Sequence, residues 1–371
     1  MKLATILGTR PEIIRLSRII PALDQHCEQL LVHTGQNRQP LLRDVFFSEL
    51  DVRAPDIDLG IEADSFGQQV GQILTETFRL LEREKPDRVL ILGDTNSALS
   101  AIIACRLGIP VFHAEAGNRC FDDRVPEEVN RRLVDHSSAV LMPYTERSRA
   151  NLLREGISSD RIFVVGNPIN EVLRSHMAGI DSAAVHVRMG LSPGNYFVAT
   201  THRQENVDIE WRLRSIVEAL VAVARRHDRP VVWSLHPRAS SKLAQFGIDV
   251  PDELTITEPL GFLDFVALEK AALCTLTDSG TVQEECCIMR VPNVTLRDVT
   301  ERPETVECGS NILAGVRPVD VLRAVDVALA SPPDWNPPPE YQRTDVSHTV
   351  ARIVLGYSPT TNPREEYGAG G

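Results

Sequence analysis

Lys2-Leu3-Ala4-Thr5-Ile6-Leu7-Gly8-Thr9-Arg10-Pro11-Glu12 reads as a short apolar β-strand that runs into a polar turn and a helix. Gly8 permits a tight turn. Pro11 suits the first position of a helix, which leaves Arg10 beside a helix N-terminus, a place that favours an anion. A plain strand-to-helix turn with a surface Arg is the other reading of the same residues. What decides the fold is that this unit recurs. Further strand patterns lie at 30–33, 88–92, 111–113, 140–142 and 162–165, then at 196–200, 231–235, 254–257, 273–277 and 293–296. Helical stripes separate them. Phe66, Val70, Ile73, Leu74, Leu80 and Leu81 form one, and Leu213, Ile216, Val217, Leu220, Val221 and Ala224 another, each with the 3.6-residue period of an amphipathic helix. Alternating strand and helix predicts βαβ units and parallel sheets covered on both faces.

A chain of 371 residues holds about two domains. The expectation is an α/β protein of two doubly wound, Rossmann-like domains facing a cleft. Residues 1–167 form the first, 168–357 the second, and 358–371 a loose tail. Ligands of such sheets sit beyond the C-terminal ends of the strands, so the polar motifs should follow strands.

Composition narrows the function. A net charge of −12 argues against non-specific binding of nucleic acid or of an anionic membrane, which needs excess Lys and Arg. No apolar stretch approaches the roughly 18 residues of a membrane span. The first apolar run is too short for a signal peptide, and the seven scattered cysteines show neither a disulfide framework nor zinc spacing. A cytoplasmic protein without a metal is expected.

Five motifs follow strands. Besides Gly8–Glu12 there is Gly93-Asp94-Thr95, where Asp94 reads as a helix cap or as a functional carboxylate. His113-Ala114-Glu115-Ala116-Gly117-Asn118-Arg119 leads into Pro126-Glu127-Glu128-Val129-Asn130-Arg131. Two carboxylates on opposing walls can serve as acid and base; the plainer reading is a solvated loop and an acidic helix start. His202-Arg203-Gln204-Glu205-Asn206 ends an apolar strand with groups that could bind or protonate a phosphate-linked atom. In Asp278-Ser279-Gly280-Thr281-Val282-Gln283-Glu284-Glu285, a strand enters a Ser-Gly turn and a helix, a natural diphosphate cradle. There Glu284 could accept from ribose hydroxyls; the plainer reading of Asp278 or Ser279 is a helix cap. No G-x-G-x-x-G follows any strand, against a dinucleotide enzyme.

Taken in order, GTRPE, GDT, HAEAG-x-R, PEE-x-NR, HR-x-EN, DSG-x-x-QEE and TERPE span about residues 3 to 330. This series resembles the non-hydrolysing UDP-N-acetylglucosamine 2-epimerase family. The resemblance implies a GT-B-like fold, with UDP held mainly by the C-terminal domain and no cofactor. It implies inversion at C2 of a UDP-2-acetamido sugar, by elimination of UDP to a 2-acetamidoglycal and re-addition after reprotonation. Asp94, Glu115 and Glu127 match the family's acid/base carboxylates, and His202 the histidine near the diphosphate. Arg10 matches a diphosphate-contacting Arg, and Ser279, Gly280 and Glu284 the UDP site. Arg131 and Arg302 match further motif positions. A homodimer is the family expectation.

Departures from the pattern bear on the sugar. Arg15 stands where many of these epimerases have Lys, and Arg offers a planar fork where Lys offers a point charge. The Gly117–Pro126 loop and Arg10–Ser17 are similar to the subgroup acting on UDP-2-acetamido-2,6-dideoxy-L-talose. Gln36-Asn37-Arg38-Gln39 replaces the motif of enzymes activated by UDP-GlcNAc. A GT-B glycosyltransferase is the rival of another class; it would share the cradle without needing carboxylates on both faces of C2.

Overall fold

The computed structural model describes residues 1–36, 43–63 and 65–358. Two α/β units emerge. The first comprises Met1–Val172 together with the segment from Arg343 onward; the second is Leu173–Gln342.

In the first unit the strands are β1 Lys2–Leu7, β2 Glu28–His33, β3 Ile57–Asp58, β4 Arg88–Leu92, β5 Val111–Ala114 and β6 Val140–Met142. They form one sheet in the order β3-β2-β1-β4-β5-β6, with every pairing parallel. Leu3 to Leu7 are buried, as a strand covered on both faces requires. Helix Phe66–Glu84 lays Ile73, Leu80 and Leu81 on this sheet, while Phe66, at its first turn, is largely exposed.

The second unit repeats the plan with β7 Phe197–Thr201, β8 Val231–Leu235, β9 Leu254–Thr257, β10 Cys274–Thr277, β11 Asn293–Thr295 and β12 Asn311–Leu313. Their order is β12-β11-β10-β7-β8-β9, again all parallel. All six residues of the stripe from Leu213 to Ala224 are buried on helix Glu210–His227. In each sheet the chain starts at the centre, winds outward to one edge, then returns and winds to the other. The reversal falls between β1 and β4, and between β7 and β10. Such a switch point opens a crevice at the C-terminal ends of the central strands.

Three sequence expectations change. Residues 162–165 form no strand; Ile162 makes a single bridge to Leu141. The Phe163 and Val165 N–H groups donate to the Leu141 and Pro143 carbonyls, but Pro143 has no N–H to return, so the ladder stops. The edge strands β3 and β12, two and three residues long, are too short for periodicity to reveal. The division of the chain also differs from 168–357. Helix Val346–Gly356 buries Val346, Val350 and Val354 in the first unit, packed against helix Ile19–Asp24, and Glu171 accepts from the Ser347 N–H at 2.9 Å. The tail expected at 358–371 lies almost wholly outside the described residues, as do Asn37, Arg38 and Gln39.

Candidate active site

At the switch point of the first unit, the turns after β1 and β4 meet. Gly8 is required there by contact: a Cβ would come within 2.1 Å of Thr34 Oγ1 and 2.2 Å of Ser97 Oγ. Glu12, one turn into the helix, is buried and reaches back. It accepts from Gly8 N–H at 3.0 Å, from Thr9 Oγ1 at 2.7 Å and from Thr95 Oγ1 at 3.2 Å. It thereby ties the loop that carries Arg10 to the loop that carries Asp94. Burial outweighs these bonds and pushes its carboxyl up to about 7. Arg10 is half-buried, its guanidinium 5.5 Å from the Phe46 ring centre.

Glu115 follows β5 directly and has φ +66°, a left-handed backbone that costs a non-glycine residue energy and marks functional sites when it persists. Its N–H donates to Met142 O, so the next strand fixes the kink. The carboxylate is buried and paired with Arg15 Nη1 at 2.5 Å. Asn118 Nδ2 donates to its other oxygen at 3.1 Å, and Tyr144 Oη lies 3.5 Å away. Beneath it, His113 links Asp135 (2.8 Å from Nδ1) to the Gly93 carbonyl (2.8 Å from Nε2). The carbonyl can only accept, so Nε2 carries a proton there. Burial drives Asp135 up, but His113 and Arg119 outweigh it and hold its carboxyl below the usual range.

Asp94, after β4, faces Arg131, whose Nε and Nη2 lie 2.7 Å from Oδ2. Asn130 donates to the Asp94 carbonyl at 2.9 Å. Both partners stand on helix Pro126–Ser137, three and four residues beyond Glu127. Glu127 is in its first turn and half-buried. Glu128 has turned the other way. It is buried, accepts from Cys120 N at 3.0 Å and Phe121 N at 3.1 Å, and pairs with Arg131 Nη1 at 2.7 Å. Of the two adjacent glutamates, Glu128 fastens the Gly117–Pro126 loop.

The second unit offers another constellation at its own switch point. Asp278, after β10, is fully buried. It accepts from the backbone N–H groups of His202 and Arg203, both at 3.0 Å, and from Asn206 Nδ2 at 3.1 Å. Its Oδ1 lies 3.0 Å from His202 Nδ1. Burial raises this carboxyl, but His202 and the hydrogen bonds outweigh it and hold it at about 2. Ser279 stands at the N-cap of helix Gly280–Met289, where its side chain makes no capping bond. Glu284, one turn in, is buried and paired with Arg302 Nε. A Cβ on Gly280 would lie 3.7 Å from the Arg302 guanidinium carbon, so Gly280, Glu284 and Arg302 form one cluster. His236, at the end of β8, has its ring 5.9 Å from that of His202.

Each of the eleven expected residues lies in a turn or helix start at the C-terminal edge of its own sheet, with the exception of Arg15, Arg131 and Glu284, which reach that edge from one turn or more inside a helix. Sequence reasoning passed over Asp278 as a site residue, reading it as a cap, and missed Glu12, Asn118, Asp135 and Tyr144. The signal for Asp278 was a carboxylate directly after a strand whose four residues are all buried; the others show their roles only through partners distant in sequence.

These features meet known proteins at one point. The family pattern described as UDP-N-acetylglucosamine 2-epimerase matches residues 22–355. The UDP-N-acetylglucosamine 2-epimerase of Methanocaldococcus jannaschii is 43% identical over 91% of this chain and 95% of its own. Its crystal structure in complex with UDP-GlcNAc and UDP superposes with a TM-score of 0.91 at 42% identity, covering 95% of this chain and 99% of that one. The UDP-2,3-diacetamido-2,3-dideoxy-D-glucuronate 2-epimerase of Pseudomonas aeruginosa is 38% identical over 85% of this chain and 88% of its own. With the pattern matched over most of its length and relatives of this identity aligned nearly end to end, the chain belongs to the UDP-N-acetylglucosamine 2-epimerase family.

Proposed function

We propose that this isomerase is a non-hydrolysing 2-epimerase of a UDP-2-acetamido sugar of the UDP-GlcNAc/UDP-ManNAc type. The observation that carries this reading is Glu115: a buried carboxylate on a strained backbone at a strand's end, held by Arg15, Asn118 and Tyr144. A carboxylate fixed so firmly suits proton transfer at one defined atom.

The C2 proton is not acidified by a neighbouring carbonyl, so its removal needs the leaving group's help. One carboxylate takes the proton, the C2–H electrons form the C1=C2 bond, and the C1–O bond breaks with UDP carrying off the pair. A second carboxylate delivers a proton to the opposite face of C2 as UDP re-adds at C1. Asp94, Glu115 and Glu127 are the groups for these transfers, with Arg131 orienting Asp94. His202, aimed by Asp278, serves the diphosphate together with Arg10. The first turn of helix Gly280–Met289 cradles the phosphates, Ser279 lies at its start, and Glu284 with Arg302 receives the ribose. No cofactor takes part.

Incubation with UDP-GlcNAc in D₂O, read by NMR, tests the reaction. Deuterium at C2 of both epimers is expected; retention of C2–H with transfer to an acceptor would mark a glycosyltransferase instead. A panel of UDP-GlcNAc, 6-deoxy-L-talo and uronic-acid UDP sugars identifies the preferred substrate. The same proposal includes a cytoplasmic homodimer, which light scattering at working concentration checks.

A further inference from the structure

Cys287 and Cys308 face each other with 3.6 Å between their sulfurs. Cys287 lies on helix Gly280–Met289, one turn beyond Glu284, and is buried; Cys308 ends helix Pro303–Glu307, whose N-cap is Arg302, and is half-buried. The two thiols therefore join the two elements that meet in the Glu284–Arg302 pair. Either sulfur can donate in this contact; with Cys287 donating, the bond, helped by Ser310, holds the Cys308 thiol below its ordinary value against the effect of burial. The same bond and burial push Cys287 up. Cys308 is thus the more accessible and more nucleophilic sulfur.

We propose that Cys287 and Cys308 are an oxidation site controlling the nucleotide cradle: a hydroperoxide converts them to a disulfide, which weakens nucleoside-diphosphate binding. The second half rests on the UDP-binding reading of Glu284 and Arg302. The Cys308 thiolate attacks one peroxide oxygen; the S–O bond forms, the O–O bond breaks, and the departing hydroxide takes the Cys287 proton. The Cys287 sulfur then attacks the Cys308 sulfenic sulfur; the S–S bond forms, the S–O bond breaks, and hydroxide leaves to be protonated by solvent. Two electrons pass from the sulfurs to the peroxide, which ends as two waters.

Geometry supplies the coupling. The sulfurs must close from 3.6 Å to about 2.05 Å. The Cys287 carbonyl accepts from Trp335 Nε1 at 3.0 Å, which pins the helix side. The movement falls on the Pro303–Glu307 side, and so on Arg302.

The full-length protein is treated with hydrogen peroxide, its thiols are mapped by mass spectrometry, and UDP is titrated by calorimetry before oxidation, after it, and after dithiothreitol. A cross-linked Cys287–Cys308 peptide is expected, with UDP affinity falling on the order of tenfold or more and recovering on reduction. Cys287→Ser and Cys308→Ser should each keep the reduced affinity and lose the response. Failure of the cross-link to form while other cysteines oxidise would overturn the proposal, as would a cross-link that leaves UDP affinity unchanged. If the reduced protein bound no UDP, the cradle reading would fall and the control with it, and the peptide map would still report the thiol chemistry separately.

Discussion

Nδ1 of His202 lies 3.0 Å from Oδ1 of Asp278, so the carboxylate fixes which ring nitrogen holds a proton and leaves Nε2 for the ligand. A hydrogen-bonded carboxylate behind a histidine sets its tautomer and its orientation together. Asp278 is itself locked by two backbone N–H groups and Asn206, so the histidine is aimed by the sheet.

Asp278→Asn should therefore lower turnover by about 10²-fold or more, the range of a lost acid–base alignment, with little change in overall fold. Steady-state kinetics beside circular dichroism checks this; unchanged kcat would count against the orienting role. Because the folded carboxyl sits near 2, below the ordinary value of about 3.9, the unfolded chain binds more protons between them. The stabilisation is complete above about pH 4 and is lost as pH falls through about 2. Denaturant melts of the wild type and Asp278→Asn should converge over that window.

On the proposed function, Glu127 serves the chemistry, while Glu128 fastens the loop before its helix. Glu115→Gln and Glu127→Gln should each cut turnover by about 10²–10⁴-fold while UDP affinity stays close to the wild type. Glu128→Ala should instead destabilise the fold by about 1–3 kcal/mol, since it removes one of the two carboxylates paired with the buried Arg131 and the acceptor of two backbone N–H groups. Thermal melts and kinetics on the three variants read the contrast, and a stable, fully active Glu128→Ala would refute it.

Glu12 gives a pH signature of the opposite sign. Its folded value of about 7 exceeds the ordinary value of about 4.3, so the folded state holds the extra proton. That contribution is fully present below about pH 4.3 and is lost as pH rises through about 7. Glu12→Gln should flatten the decline in stability between those values. Urea melts at closely spaced pH values measure it; an unaltered slope in the variant would exclude Glu12 as its source.

Glu284→Ala should weaken UDP binding by about 1.5–3 kcal/mol, roughly tenfold or more in affinity, because it removes the partner of Arg302 as well as an acceptor for ribose. Ser279→Ala should have a smaller effect in the same direction, as its side chain makes no capping bond. Calorimetric titration with UDP decides both.

What the sequence by itself determined is local. Apolar runs such as Val89–Leu92 read as buried strands because their burial depends on their own composition, and the turns after them read as sites because parallel sheets place ligands there. Gly8, Arg10, Asp94, Glu115, His202 and Ser279 were legible in that way. Only the tertiary structure decided which groups meet. Arg15 reaches Glu115 across 100 residues and Asp278 reaches His202 across 76, and strand order sets both encounters. Burial then divided the labour between Glu127 and Glu128, whose sequence environments are nearly identical, and returned helix Val346–Gly356 to the first unit. Such outcomes rest on neighbours brought together by folding, and no local pattern of residues encodes them.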